Sequence, residues 1–340
     1  MFRPFLLIAA LLAPFPAFAK PVTVKVVVLT MFEVGEETGD VAGEFQHWAE
    51  RYPFTEKVKV TGIEHPVRVS RDGVVLVLAG MNARSRQSVT ALALDPRFDT
   101  SKAYWLIAGI AGVDPQSGSI GSAAWARWVV DADAAHDMDD REAPADWPWG
   151  IYSLGTRKPG LKGSAAGASG MAWKLDPGLV DWAYSLTRTT PLADTPQLQA
   201  ARANYVAAPA RQPPRVYLGD AIGTARFWHG DKRTAWARDW VRIWTDGQGQ
   251  FAMSDCEDHQ VMDALDLLGP SGRVDRRRVL VLRTASNYTA AAPGADPVFD
   301  FAPGGLEAGV EAAYRVGEPV VKALVAGWDQ FVDQLPQAAR

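Results

Sequence analysis

The sequence predicts an α/β protein whose sheet is covered by helices on both faces. Three observations carry that prediction. The runs 22–30, 74–79 and 103–110 are almost wholly apolar, as strands buried on both sides require. Helix-forming stretches separate them, so parallel strands can be joined by crossover connections. The run 279–282 then stops at Arg283, Thr284, Ser286 and Asn287, a buried strand that delivers polar groups at its carboxyl end.

Taken in order, strand 22–30 gives way to a loop over 33–43 rich in Gly and Glu, then to a helix over 44–51. Strand 74–79 is followed by helix 85–94. The third strand, 103–110, runs into Gly109-Ile110-Ala111-Gly112, and a fourth is expected over 123–131. The acidic stretch 131–146 and the Gly- and Ser-rich stretch 155–170 read as surface loops. Asp176 caps an expected helix over 177–186, and another follows near 197–205. A short strand, 216–218, ends in Gly219-Asp220 ahead of a Trp-rich helix over 234–244. The strand starting at Phe251 turns into a helix at Asp255, Glu257 and Asp258. The final helix, 306–332, is expected to break at Gly317 and Pro319. With no internal repeat and no clean linker, one domain is expected over 20–340.

The net charge is −4 with no long basic run, which excludes nucleic acid as an expected partner. Thirteen Trp suit core filling or the lining of a pocket. Cys256 is the only cysteine, so the chain has no intrachain disulfide and no multi-thiolate metal site. Phosphate-loop, dinucleotide and nucleophile-elbow motifs are absent, so no cofactor and no metal are expected. His136 with Asp137, Asp139 and Asp140 could ligate a cation, but a solvated acidic loop accounts for them better. At the N-terminus, Arg3, an apolar run over 5–15 and Ala17-Phe18-Ala19 follow the order of an export leader over 1–19. The mature chain is therefore expected in the periplasm or secreted. After Lys20 no apolar run approaches the roughly 18 residues of a membrane span.

Two neighbouring strand ends that carry carboxylates, an arginine and an amide suit a sugar-plus-base ligand. The strings around them are distinctive: Val28-Leu29-Thr30-Met31-Phe32, Tyr217-Leu218-Gly219-Asp220, Phe227-Trp228-His229-Gly230, Asp255-Cys256-Glu257-Asp258, and the segment from Val281 through Arg283 to Asn287. Together they resemble the purine nucleoside permease family of bacteria and fungi, over essentially the whole mature chain. That family is similar to nucleoside phosphorylases and nucleosidases, which implies a three-layer αβα fold around a mixed central sheet. The resemblance also implies a purine nucleoside as ligand and a homo-oligomer in which a neighbour could complete the site. The permease name implies a membrane transporter as partner.

By the same resemblance, Glu257 would grip the ribose hydroxyls with Asp255 as an accessory acid. A carboxylate's two acceptor oxygens suit a diol, although both residues also favour the positive start of a helix. Asn287, with Ser286 before it, would meet the purine. An amide donates one hydrogen bond and accepts another, which suits N7 and O6 of a 6-oxopurine, but it cannot supply a proton. Phe227 or Trp228 would stack on the base, replacing the aromatic that relatives carry where Ile222 stands. His229, read from its own string, could orient the sugar or act as acid–base, with a structural His among aromatics an equal reading. Phosphorylases hold phosphate with arginines in the first loop and near the glycine-rich strand end at Gly109. Here the first loop carries Glu33, Glu36 and Glu37, and apolar Leu106 and Ile107 lead into Gly109. Glu33 or Glu36 is thus expected to act on an attacking water, and Arg84 and Arg86 remain the candidates for phosphate. Hydrolysis of the N-glycosidic bond is the first expectation. Nucleoside capture for transport and phosphorolysis are the alternatives.

Overall fold

The computed structural model describes residues 20–164, 170–298 and 302–338. The leader expected over 1–19 lies outside the described residues, as does the centre of the stretch 155–170. Twelve strands form one mixed sheet. They are β1 (Val26–Thr30), β2 (Phe54–Val58), β3 (Val67–Ser70), β4 (Val74–Leu78), β5 (Tyr104–Val113) and β6 (Ala123–Trp125), followed by β7 (Trp128–Asp131), β8 (Ala172–Lys174), β9 (Val216–Leu218), β10 (Asp220–Gly223), β11 (Phe251–Asp255) and β12 (Val279–Tyr288). The order is β8-β7-β10-β11-β5-β1-β4-β3-β2, with β12 paired to β5 and β6, and β6 to β9. The helices are α1 (Gln46–Arg51), α2 (Ala83–Leu94), α3 (Pro177–Thr187), α4 (Pro196–Ala203), α5 (Ala208–Arg211), α6 (Asp231–Trp244), α7 (Asp258–Leu268), α8 (Gly305–Ala326) and α9 (Trp328–Phe331).

Every residue of β1 and β4 is buried, which is why neither alternates in polarity. Each such Val or Leu contributes on the order of 1.5–3 kcal/mol by leaving water. The long strand β5 is the spine. On one edge β12 runs parallel to it from Val279 opposite Trp105 to Tyr288 opposite Val113. On the other edge β1 pairs with it only as far as Leu29 opposite Ile107, and β11 joins antiparallel at Gly112 and Val113. Between those partners the sheet forks. An opening beyond the carboxyl end of parallel strands, where the strand order changes, is where α/β sheets bind ligands.

The mixed αβα architecture matches the expectation, and several element boundaries differ from it. The run 22–30 is two strands, because Val22–Thr23 pairs with Phe98–Asp99 instead of joining the main sheet. The run 123–131 splits into β6 and β7 at Ala126 and Arg127. Buried Asp220 fixes that bend by accepting from Arg127 N (3.0 Å), Trp128 N (2.9 Å) and Gln250 N (2.6 Å). The acid of Tyr217-Leu218-Gly219-Asp220 therefore serves the fold. Strand β12 does not stop at Arg283 but continues to Tyr288 through a bulge at Ser286. Helix α8 does not break at Gly317 or Pro319. Its buried face continues through Val316, Val320, Val321 and Leu324. The missing Gly317 side chain admits the Trp48 ring, to which a Cβ would come within 2.9 Å. Tertiary packing overrides the two helix breakers.

Candidate functional site

The fork holds a cavity of about 430 Å³. Its walls come from the ends of β1, β5, β11 and β12 and from the segment 226–229. The β12 bulge matters here. Consecutive residues of a regular strand face opposite ways, whereas the extra residue between Ala285 and Asn287 lets both Ser286 and Asn287 reach the cavity wall.

At the base of the fork sits Glu44, which ends the first loop just before α1. Because β1 has already ended, the N–H of Ile110 lacks a strand partner on that edge and donates to Glu44 Oε1 (2.7 Å). The N–H of Met31, just past β1, donates to Glu44 Oε2 (2.6 Å). One carboxylate thus closes the seam between two strands. Burial is the largest influence on it and pushes its pKa up to about 7, against the opposing pull of Arg283 and the two N–H groups.

Arg283 is the hub. Its Nη2 lies 2.7 Å from Asp258 Oδ1, 3.2 Å from Glu257 Oε2 and 3.5 Å from Asp255 Oδ1, and its Nη1 donates to the carbonyl of Ile110 at 3.1 Å. Asp255, Glu257, Asp258 and Arg283 are all at most 5% exposed. Gly109 keeps the hub and Glu44 adjacent, since a Cβ there would lie 2.6 Å from both Arg283 Nη1 and Glu44 Oε1. With one guanidinium among four buried carboxylates, Glu44, Asp255 and Glu257 resist ionisation. Burial, and then the charge of Asp258, raise the Asp255 pKa well above the usual range, and burial raises that of Glu257. Asp255 Oδ1 accepts from Glu257 N (3.0 Å) and Asp258 N (2.8 Å), while Oδ2 is buried with no hydrogen-bond partner.

Residues 23–336 match the family described as purine nucleoside permease. The chain belongs to that family. It is 25% identical over 261 residues to a purine nucleoside permease of Candida albicans, which covers 74% of this chain and 63% of the relative, so it spans less than two thirds of that relative's length. It is also 25% identical over 259 residues to a probable purine nucleoside permease of Schizosaccharomyces pombe, covering 73% and 74% of the two chains. Among solved structures it resembles a 5'-methylthioadenosine/S-adenosylhomocysteine nucleosidase of Neisseria meningitidis, with TM-score 0.52, 14% identity and coverage of 88% of this chain and 100% of that one. The futalosine hydrolase of Helicobacter pylori gives TM-score 0.51, 14% identity and coverage of 89% and 98%. These likenesses give this family member a nucleoside phosphorylase-like fold.

Most of the side chains singled out in the sequence meet at the one cavity. Asp255, Glu257, Ser286, Asn287, Phe227, Trp228 and His229 all line it. Asn287 Oδ1 accepts from Ser286 Oγ (2.9 Å) and its Nδ2 donates to the Tyr288 carbonyl (3.2 Å). Trp228 leans edge-on against Trp236 at 5.6 Å, and the His229 Nε2 contacts the Pro297 carbonyl at 2.7 Å. Gly109 lies behind the wall. Glu33 and Glu36 are elsewhere. The Glu33 carboxylate accepts from the backbone of Val34, Gly43 and Gln46, which folds the first loop onto the start of α1, and Glu36 is exposed. Arg84 and Arg86 pair with Glu64 and Asp263. Ile222 stands within β10 with its side chain buried in the core. Glu44 carries no site signal in the sequence, where it reads as the first residue of a helix and not as a loop acid.

Proposed function

We propose that this chain binds purine nucleosides in the fork cavity and hydrolyses their N-glycosidic bond to free base and ribose, outside the cytoplasm as the leader reading implies. The observation that carries this is the convergence of Glu257, Asn287 and Glu44 on one cavity. Glu257 would hold the ribose diol, its Oε2 steadied by Arg283. Asn287 would exchange its contacts with neighbouring backbone and Ser286 for the purine edge, and Phe227 and Trp228 would cover the ring. Glu44 takes over the role first given to Glu33 or Glu36. A carboxylate with a pKa near 7 is suited to accept a proton from water as it attacks the anomeric carbon.

Phosphorolysis is disfavoured because the arginines at hand are already committed. Arg226 pairs with Asp137, Arg283 serves Asp255, Glu257 and Asp258, and Arg84 and Arg86 have acidic partners. Nucleoside capture for a membrane transporter is the second reading. It is favoured by Asn287, whose amide cannot hand a proton to a departing base. The deciding experiment incubates the chain from Lys20 onward with inosine, guanosine and adenosine, with and without phosphate. Base and ribose without phosphate support hydrolysis, release only with phosphate replaces it by phosphorolysis, and binding without release leaves capture.

A further inference from the structure

The segment 224–229 crosses the cavity wall as a strap. Its Phe227 lines the cavity yet is 75% exposed, so this ring is positioned between ligand space and solvent. The far end of the strap is held by the contact of His229 with the Pro297 carbonyl and by Gly230 N–H donating to the Thr289 carbonyl at 2.7 Å. The near end is held differently. Ala225 N–H donates to Asp133 Oδ1 (2.8 Å), and Asp133 Oδ2 lies 2.9 Å from Nε2 of buried His259. His259 belongs to the first turn of α7, directly after Glu257 and Asp258. Two bonds therefore connect the acidic helix start to the strap: the backbone bond from Thr224 N–H to the Asp255 carbonyl (3.1 Å), and the Asp133 carboxylate between His259 and Ala225.

We infer that His259 and Asp133 form a positioning latch that holds the near end of the strap over the cavity while His259 is protonated and slackens it when His259 loses its proton. The groups facing His259 support that dependence. Asp131 and Asp133 reach it from the end of β7 and Asp255 from the end of β11. The Gln260 amide nitrogen, 3.0 Å from the ring's Nε2, is a donor and the buried Nδ1 has no hydrogen-bond partner, so the carboxylates alone favour the charged ring. Arg226 on the strap pairs with Asp137 and sits close to Asp133. Burial alone would discharge the ring, but the bond to Asp133 and the charges of Asp131, Asp133 and Asp255 outweigh it and raise its pKa. Close packing fixes the ring, since a Cβ on Gly223 would come 2.3 Å from His259 Nδ1. A group with a raised folded pKa stabilises fully below its unfolded value of about 6.5 and loses that contribution as pH climbs through the folded value. The strap is thus tight in mild acid and loose in alkali.

The Ala225 amide reports the latch directly by hydrogen–deuterium exchange on the ligand-free chain, corrected for the intrinsic pH dependence of exchange. Protection at Ala225 is expected to fall several-fold from pH 6 to pH 9. In His259→Gln it should stay at the alkaline level throughout. Asp133→Asn, at a more exposed site, keeps an oxygen for Ala225 but not the charge, and should also remove the pH step. Protection that is flat with pH in the unaltered chain, or a step that survives in Asp133→Asn, overturns the latch. The consequence for ligand rests on the nucleoside reading: inosine affinity should weaken over the same pH range less in Asp133→Asn than in the unaltered chain. Inosine that never binds would remove that reading and leave the exchange result standing, so the two fail separately.

Discussion

Two stretches of this chain look alike in sequence and differ in what they build. Residues 137–140 and 255–258 are both short acidic clusters next to a histidine. In the first, each acid has its own arginine: Asp137 pairs with Arg226, Asp139 with Arg141, and Asp140 with Arg233. His136 stacks on Tyr152 at 4.8 Å. In the second, Asp255, Glu257 and Asp258 share Arg283, and Glu44 adds a fourth carboxylate nearby. The count of acids does not mark a site. A shortage of cations in a buried place does, because it leaves carboxyl groups with protons and lone pairs available for chemistry.

The comparison is broken most severely by removing the shared cation. Arg283→Met should lose about 3–5 kcal/mol of stability in urea unfolding, since it strands buried carboxylates. The loss should shrink in mild acid, where Asp255, Glu257 and Glu44 take up protons more readily than ordinary carboxylates, and an equal loss at every pH would refute the charge account. Next in size is Glu44→Gln. If Glu44 activates water, turnover should fall roughly 10²–10⁴-fold, whereas unaltered turnover would return the catalytic role to another acid. Nucleoside affinity and the circular dichroism spectrum are measured beside it, because the amide accepts from only one of the Met31 and Ile110 N–H groups. Glu257→Ala should abolish turnover without altering the circular dichroism spectrum, and full activity would remove it from the site.

The pH dependence sharpens the contrast. A buried Glu whose pKa rises from 4.5 to about 7 stabilises the fold below its unfolded value and loses that contribution as pH climbs through 7, a change of up to about 3 kcal/mol. Activity that needs the Glu44 carboxylate should rise over the same interval, so rate and stability should move in opposite directions. The smallest effect belongs to the surface cluster. Arg141→Ala should leave the melting temperature and nucleoside affinity unchanged, because its pair with Asp139 is fully solvated.

Much of this was legible from residue order. Apolar runs fixed where buried strands lie, and Asp255, Glu257, Ser286 and Asn287 stood at strand ends that proved to be neighbours. The bulge at Ser286 was not legible, since a bulge depends on the partner strand's register and not on local composition. Glu33 folds its own loop and lines the adjoining cavity, which shares Met31 and Phe32 with the fork, and in sequence such a glutamate looks the same as one facing the fork itself. Glu44 was hidden for the converse reason. Its importance comes from an unpaired Ile110 amide 66 positions away, which only the fork in the sheet creates.

That fork has a consequence for judging relatives. Glu44 is at once a brace for two strand ends and the candidate group for water activation. A descendant that lost catalysis and kept only capture would still need an acceptor for the amides of Met31 and Ile110. A glutamate at this position therefore does not distinguish an enzyme from a receptor. The informative positions are those that the scaffold can do without, where a side chain persists only if a ligand is there to meet it.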